Sequence, residues 1–455
     1  MILMRMSLSL RLGSLVGLLL LGACSGGGGD DQGPSVPPVT SNYETHFSPD
    51  HVIGSAPAPD MITASASLSA VSGDDIIASG SVSVSSATAT SVTINVGYAG
   101  ETGPVAVTLI DGGGGTWNIP ADVEIDQDQL NRLNATGFYV WIETPAGDLR
   151  GQIAQPGMVI VSFDLDADSV VPESTSTGSG KAGFAFNPQT GFMRARITLN
   201  GIGDALSAGI HSAIAGARGD VEIAMEVSAT DPNVWGSIDI NNANASTRLG
   251  QAGIDLILNG EMYFSVASTA NPDGDLRAQI IDPDTMNVFG TELTTSEVVT
   301  GGPPVISTAQ GVATVTWIEL TSRFGIAVNT DTSNVVSVGV YQGAPGVNGS
   351  LMLSLMPDVT TVGNWVLPST ELTEAQAEAF ESGTFYVNVE SIAYPGGELR
   401  GQLSTSGSTL APVAITVDAS VSASMKNRCS NTERTETNST ARCIRVSSAA
   451  QPRII

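Results

Sequence analysis

The phrase "PAGDLRGQI" at 145–153 returns as "PDGDLRAQI" at 272–280 and again as "PGGELRGQL" at 395–403. Arg150 and Arg277 are 127 residues apart, and Arg277 and Arg400 are 123 apart, so the spacing is nearly constant. The likeness runs upstream through "GFYVWIETPAGDLRGQI" (137–153), "GEMYFSVASTANPDGDLRAQI" (260–280) and "GTFYVNVESIAYPGGELRGQL" (383–403). Self-similarity at so long a period means tandem domains of about 100–125 residues, not a solenoid of short repeats.

Within each copy the residues alternate with the period of a strand. Phe138, Val140 and Ile142 fall on one face, as do Met262, Phe264 and Val266, and Phe385, Val387 and Val389. After the turn, Leu149, Gly151 and Ile153 alternate with Asp148, Arg150 and Gln152, which gives the hairpin an apolar face and a polar face. On the polar face Arg150, Arg277 and Arg400 lie beside Asp148, Asp275 and Glu398, and beside Tyr139, Tyr263 and Tyr386 of the partner strand. An arginine stacked on the tyrosine and bonded to the carboxylate two residues earlier would fix the register of the hairpin. A ligand-contacting role for the arginines is the alternative.

Upstream of each hairpin stands a glycine pattern: "GYAGETGP" (97–104), "AIAGARGD" (213–220) and "GAPGVNGS" (343–350). No lysine and no helical pattern follows, which excludes a phosphate-cradling loop. These read as loops at strand ends, where glycine supplies positive φ. Thr373 and Gln376 in "LTEAQAEAF" form a capping box that predicts a short helix ending before Gly383.

The first 23 residues read as a leader. Arg5 and Arg11 precede or open an apolar run that closes in "LGAC", a signal peptide whose cleavage box leaves a cysteine first. This resembles the bacterial lipobox. That resemblance implies lipidation of Cys24, anchoring by acyl chains, and an exported lipoprotein of the outer membrane or cell surface, with Ser25 favouring the outer membrane. A membrane span is excluded by length, since about 20 apolar residues are needed and about ten are present. Residues 24–60, rich in Gly, Pro, Ser and Asp, read as a flexible tether.

Between Cys24 and Met425 there are 43 acidic and 10 basic residues. Such a body repels nucleic acid and anionic surfaces, so nucleic acid is excluded as a partner. The other two cysteines, Cys429 and Cys443, lie in the tail and are free to pair in an exported chain. The tail itself, with six of the 18 basic residues after Met425, is either a disordered end or a small disulfide-closed appendage.

The three copies resemble the chordin-type (CHRD) domain. The closing "FYVNVESIAYPGGELRGQL" matches the family's close, and "VVPESTSTGSGKAGFAF" (170–186) and "TELTTSEVVTGGPPVISTAQGVATV" (291–315) match its opening. Where that family carries His-Ile-His, this chain has Thr93-Ile94-Asn95, Gly209-Ile210-His211 and Gly339-Val340-Tyr341. The family's closing histidine is replaced by Glu143, Ser268 or Glu390-Ser391. The family's histidine pattern and β architecture are similar to those of copper–zinc superoxide dismutase, whose metals need several convergent imidazoles. With three histidines in all (His46 and His51 in the tether, and His211), the chain is not expected to be a dismutase, and no cofactor is expected.

The expected fold is all-β: three tandem antiparallel β-sandwich domains, immunoglobulin-like or Greek-key, on a flexible lipidated N-terminal tether. The expected bounds are leader 1–23, tether 24–60, domains 61–155, 158–282 and 288–404, and tail 405–455. No motif for a nucleophile, a zinc protease or a catalytic cysteine is present. Acidic runs such as "DQDQ" (126–129), "DLDAD" (164–168) and "DPD" (282–284) could offer weak calcium sites, though none has the EF-hand spacing. The function expected is a binding or adhesion module for an extracellular protein or glycan. A structural spacer is the alternative, and an enzyme is the least favoured reading.

Overall fold

The computed structural model describes residues 38–404, apart from 74, 86–88, 238–246, 283–284 and 360. The fold is all-β and antiparallel, with three hydrophobic cores that follow one another along the chain.

In the first domain a single sheet runs in the spatial order Val105–Thr108, Ser91–Val96, Phe138–Thr144, Gly147–Ala154, Val39–Ser48, Ala64–Ser72, Ile76–Val84, Thr116–Asn118 and Ile110–Gly113. In the second, Val159–Leu165 begins a sheet that ends in Leu276–Gln279, and a bridge between Asp166 and Arg277 brings the two edges back together. That sheet is a nearly closed barrel. The third domain keeps two separate layers, a five-stranded sheet from Met286–Leu293 to Met356–Pro357 and a four-stranded one from Ser350–Ser354 to Leu399–Gln402. They meet edge to edge at Thr294 and Arg400. Both a sandwich and a barrel bury the faces the alternation predicts: Val140 and Ile142 are fully buried, as are Phe264 and Val266, and Val387 and Val389.

The expected tether is shorter than its composition suggested. Residues Val39–Ser48 form a strand, paired on one side with the closing strand from Ser48↔Arg150 to Glu44↔Ala154 and on the other with Ala64–Ser72. A short 3-10 turn, Pro49–His51, follows. The segment is half of the first domain's central pairing. Its few apolar side chains include Tyr43, which is buried in the core and donates to Asn134 Oδ1 at 2.7 Å. Composition over the whole of 24–60 hides this strand because the Gly/Pro-rich first half dominates the average.

The helix Glu374–Glu381 begins with the capping box at Thr373 and Gln376, both halves of which are formed. Two further short helices occur at the matching place in the other copies, Gln127–Asn134 and Gln251–Leu258. The "DQDQ" run is the start of the first of these, with Asp126 and Gln129 forming its capping box. Among the described residues no helix is long and apolar enough to cross a membrane. The leader, Cys24, Cys429, Cys443 and the tail lie outside the described residues.

Candidate functional site

The polar face of each closing hairpin is not solvated. Arg150 is 0 % exposed and Arg277 and Arg400 are each 2 % exposed, because the glycine loop upstream folds over them. Each guanidinium lies over its tyrosine, with the central carbon 3.8 Å from the ring centroid of Tyr139, 3.6 Å from that of Tyr263 and 3.6 Å from that of Tyr386.

The arginines' partners are backbone carbonyls. Arg150 donates to Tyr98 O at 2.7 Å and Glu101 O at 2.6 Å. Arg277 donates to Ile214 O at 3.2 Å and Ala217 O at 2.6 Å. Arg400 donates to Ala344 O at 3.3 Å and Val347 O at 3.0 Å. These are the same two loop positions in all three domains. Burial lowers each arginine's pKa, to about 10 for Arg150 and Arg277, because the cation has lost its water.

The expected pairing with the preceding acid is not what the structure contains. None of the ion pairs among the described residues involves these three arginines. The side chain leans over the tyrosine toward the loop, past the glutamine two residues on, and away from the acid. Asp148 instead joins its backbone to Ala56 and Ala58, Asp275 accepts from Asn271 Nδ2 at 3.4 Å, and Glu398 accepts from Ser307 Oγ at 2.5 Å.

The residues overlooked in the sequence are the glutamines. Gln152, Gln279 and Gln402 each accept from their arginine through Oε1, at 2.9, 2.9 and 3.4 Å. Each donates through Nε2 to three carbonyls: Gly97, Thr136 and Phe138; Ala213, Gly260 and Met262; Gly343, Gly383 and Phe385. Their recurrence two residues after every arginine was the signal.

The loops carry the same logic. The last glycine of each loop, Gly103, Gly219 or Gly349, donates its N–H to the tyrosine hydroxyl at 3.3, 3.2 or 3.0 Å. A Cβ there would lie 1.9, 1.6 or 1.5 Å from the carbonyl oxygen of Val96, Ser212 or Gln342, so only glycine fits.

The histidine-equivalent positions sit beside this lock. His211 stacks on Tyr263 with centroids 5.2 Å apart, and its Nδ1 is 3.1 Å from Gly219 O. Burial lowers its pKa. Tyr341 stacks on Tyr386 and donates to Glu390 Oε1 at 2.9 Å; burial and that carboxylate raise its pKa to about 12. Thr93 donates to Asn95 at 2.6 Å. Asp164 pairs with Lys181 at 3.0 Å, and Asp166 accepts from the Ser169 N–H at 2.7 Å. Residues 283 and 284 of the "DPD" run lie outside the described residues. Among the described residues no group of three or more His, Cys, Asp or Glu is placed to hold a metal ion.

The outer side of the first loop and of the second meets the next domain. At the first junction Thr198 Oγ1 donates to Gly100 O at 2.7 Å and Arg196 Nε to Glu101 Oε2 at 3.2 Å. Arg194 and Arg196 lie 4.3 and 4.7 Å from the Tyr98 ring centroid. At the second, Asn329 Nδ2 donates to Gly216 O at 3.0 Å, and Ile214, Ala217 and Ala327 form a small apolar cluster. In the third domain residues 344–350 are exposed.

No curated protein and no solved structure matches the chain. The CHRD domain family model matches three times, at 48–153, 161–280 and 289–403, each match ending at the arginine hairpin. The first match begins at Ser48, the last residue of the strand Val39–Ser48, and so opens within the 24–60 segment read from composition as tether. Three tandem copies over most of its length place the chain in the CHRD domain family.

Proposed function

We propose that the chain is an exported lipoprotein, anchored through Cys24, whose three CHRD domains form an arm that acts by binding and not by catalysis. The observation that carries this reading is the loop at 343–350. Its inner side is fixed by Arg400, Tyr386 and Gln402, and its outer side is exposed. A loop held from beneath by a buried network is preorganised for contact, which lowers the ordering cost of binding. The partner class is an extracellular protein or glycan.

Two measurements test it. Cys24→Ala should remove the lipid and shift the protein from the detergent phase to the aqueous phase; equal partitioning of variant and wild type sinks the anchor. Screening the full chain against glycan arrays and purified extracellular proteins should find ligands whose binding Val347→Asp weakens. A second reading, a spacer in the cell envelope, is favoured by the packed junctions, and is the better one if that variant changes nothing.

A further inference from the structure

The two junctions inside the chain are one interface used twice. The bridges Ser48↔Arg150, Asp166↔Arg277 and Thr294↔Arg400 put those three residues of the opening strands at one position. Counted from there, the cross-strand pairs Ser67–Ser81, Gly183–Arg196 and Thr314–Ala327 are equivalent. So are Ser83, Thr198 and Asn329, two residues further on. Thr198 and Asn329 are the residues whose side chains donate to the central glycine carbonyl of the preceding loop, Gly100 or Gly216. The same donor position therefore meets the same acceptor position at both junctions.

The first and third domains each retain one half of this interface, and nothing among the described residues fills it. The third domain has the loop with Gly346 exposed at φ +76, like Gly100 and Gly216 at φ +90 and +81. The first domain has the receiving face. Its outward positions are Ser65, Ser67, Ser69, Ser79, Ser81 and Ser83, and Ser67 and Ser83 are exposed. Small side chains are what close approach of a loop requires: at the first junction a Cβ on Gly183 would lie 2.0 Å from Ala99 C. Ser83 retains a hydroxyl to donate.

We propose that the loop 343–350 of one chain docks on the serine face of the first domain of a second copy, head to tail, with Ser83 Oγ donating to Gly346 O. This rests on the reading of the loop as a contact surface and names its partner. Because the two patches differ, the contact is heterologous and leaves a free loop and a free face at the ends, so it extends into a file or closes into a ring. Neither the loop nor the six serines carries charge. The acidic bodies repel one another only at a distance, and added salt strengthens the association.

Sedimentation velocity on the full chain over a concentration series tests this. The wild type should shift to larger species as concentration rises, more so at high salt. Ser67→Trp, which blocks the face, and Val347→Trp, which blocks the loop, should each sediment as monomers. Their equimolar mixture should form a dimer and nothing longer, since one variant keeps its loop and the other keeps its face. A wild type that stays monomeric, association that both variants retain, or a mixture that does not dimerise overturns the inference. A monomer that still binds a glycan or another protein through 343–350 overturns the second-copy partner alone. A chain that binds nothing through this loop removes the contact-surface reading as well.

Discussion

Replacing Arg277 by Met keeps the length of the side chain over Tyr263 and removes the cation. Arg277 donates three bonds, to Ala217 O, Ile214 O and Gln279 Oε1. Bonds from a charged donor contribute about 1.5–3 kcal/mol each, so roughly 5–9 kcal/mol of favourable interaction is removed. The opposing effect is burial. The guanidinium pKa is lowered from 12.5 to about 10, which corresponds to about 3 kcal/mol that a neutral side chain does not carry. The expected net loss is about 2–6 kcal/mol, a fall in the second domain's melting temperature of roughly 10–25 °C. Calorimetry reads the transition, and hydrogen exchange reads loss of protection at 213–220. A double-mutant cycle sharpens the assignment. Gln279→Leu should couple to Arg277→Met by more than about 1 kcal/mol, and Asp275→Asn by less than about 0.5 kcal/mol. An unshifted transition, or coupling to Asp275 larger than to Gln279, refutes the carbonyl-and-glutamine account.

His51 is buried with its Nδ1 on His46 O and its pKa lowered to about 3 by burial, with Arg150, His46 and Lys181 adding repulsion. The unfolded chain takes up this proton below pH 6.5 and the folded one does not. Stability of the first domain should therefore fall by up to about 1.4 kcal/mol per pH unit from about 6.5 toward 3, and unfolding of His51→Gln should show a flatter acid limb. Gly349→Ala places a Cβ 1.5 Å from Gln342 O and should lower the third domain's stability by about 2–4 kcal/mol. Gly346→Ala, with nothing within 4 Å and only its φ of +76 to oppose it, should cost about 1–2 kcal/mol; equal effects in calorimetry would contradict the close-approach argument. Elemental analysis of the purified chain should find no stoichiometric copper or zinc, and a tightly held transition metal in each domain would reverse the reading of the replaced histidines.

The tandem plan and the strand faces were legible because period-2 alternation and turn residues are local, and three copies let each confirm the next. The helix at Glu374–Glu381 was legible for the same reason, through Thr373 and Gln376. Three things were not. The strand Val39–Ser48 takes its identity from pairing with Gly147–Ala154, about a hundred residues away in sequence. The burial of the polar face depends on the loop that covers it, and alternation reports two faces without saying that both are inside. The acid two residues before each arginine shares its strand face, and opposite charges so placed invite pairing whether or not the fold uses it. The guanidinium donates instead to carbonyls contributed from 49 to 63 residues upstream, which no local pattern encodes.

The placement of the arginines also explains how stability of a domain and contact between domains are tied. Of the ten basic residues between Cys24 and Met425, Arg150, Arg194, Arg196, Arg277 and Arg400 are buried. At the first junction two residues serve both sides. Tyr98 accepts from Arg150 through its carbonyl while its ring faces Arg194 and Arg196. Glu101 accepts from Arg150 through its carbonyl and from Arg196 through its carboxylate. The loop is a thin layer with cations on both faces, so loosening it from below must also loosen what docks above. Glu101→Gln separates the two roles, because it keeps the carbonyl that Arg150 uses and an amide oxygen for the Tyr98 N–H that Glu101 Oε1 accepts from at 3.0 Å, and removes the charge that faces Arg196. The first domain's melting temperature should stay near the wild-type value while small-angle scattering shows a wider spread of inter-domain distances. A wild-type scattering profile with a lowered first transition would mean that the carboxylate stabilises the loop's own domain and not the junction.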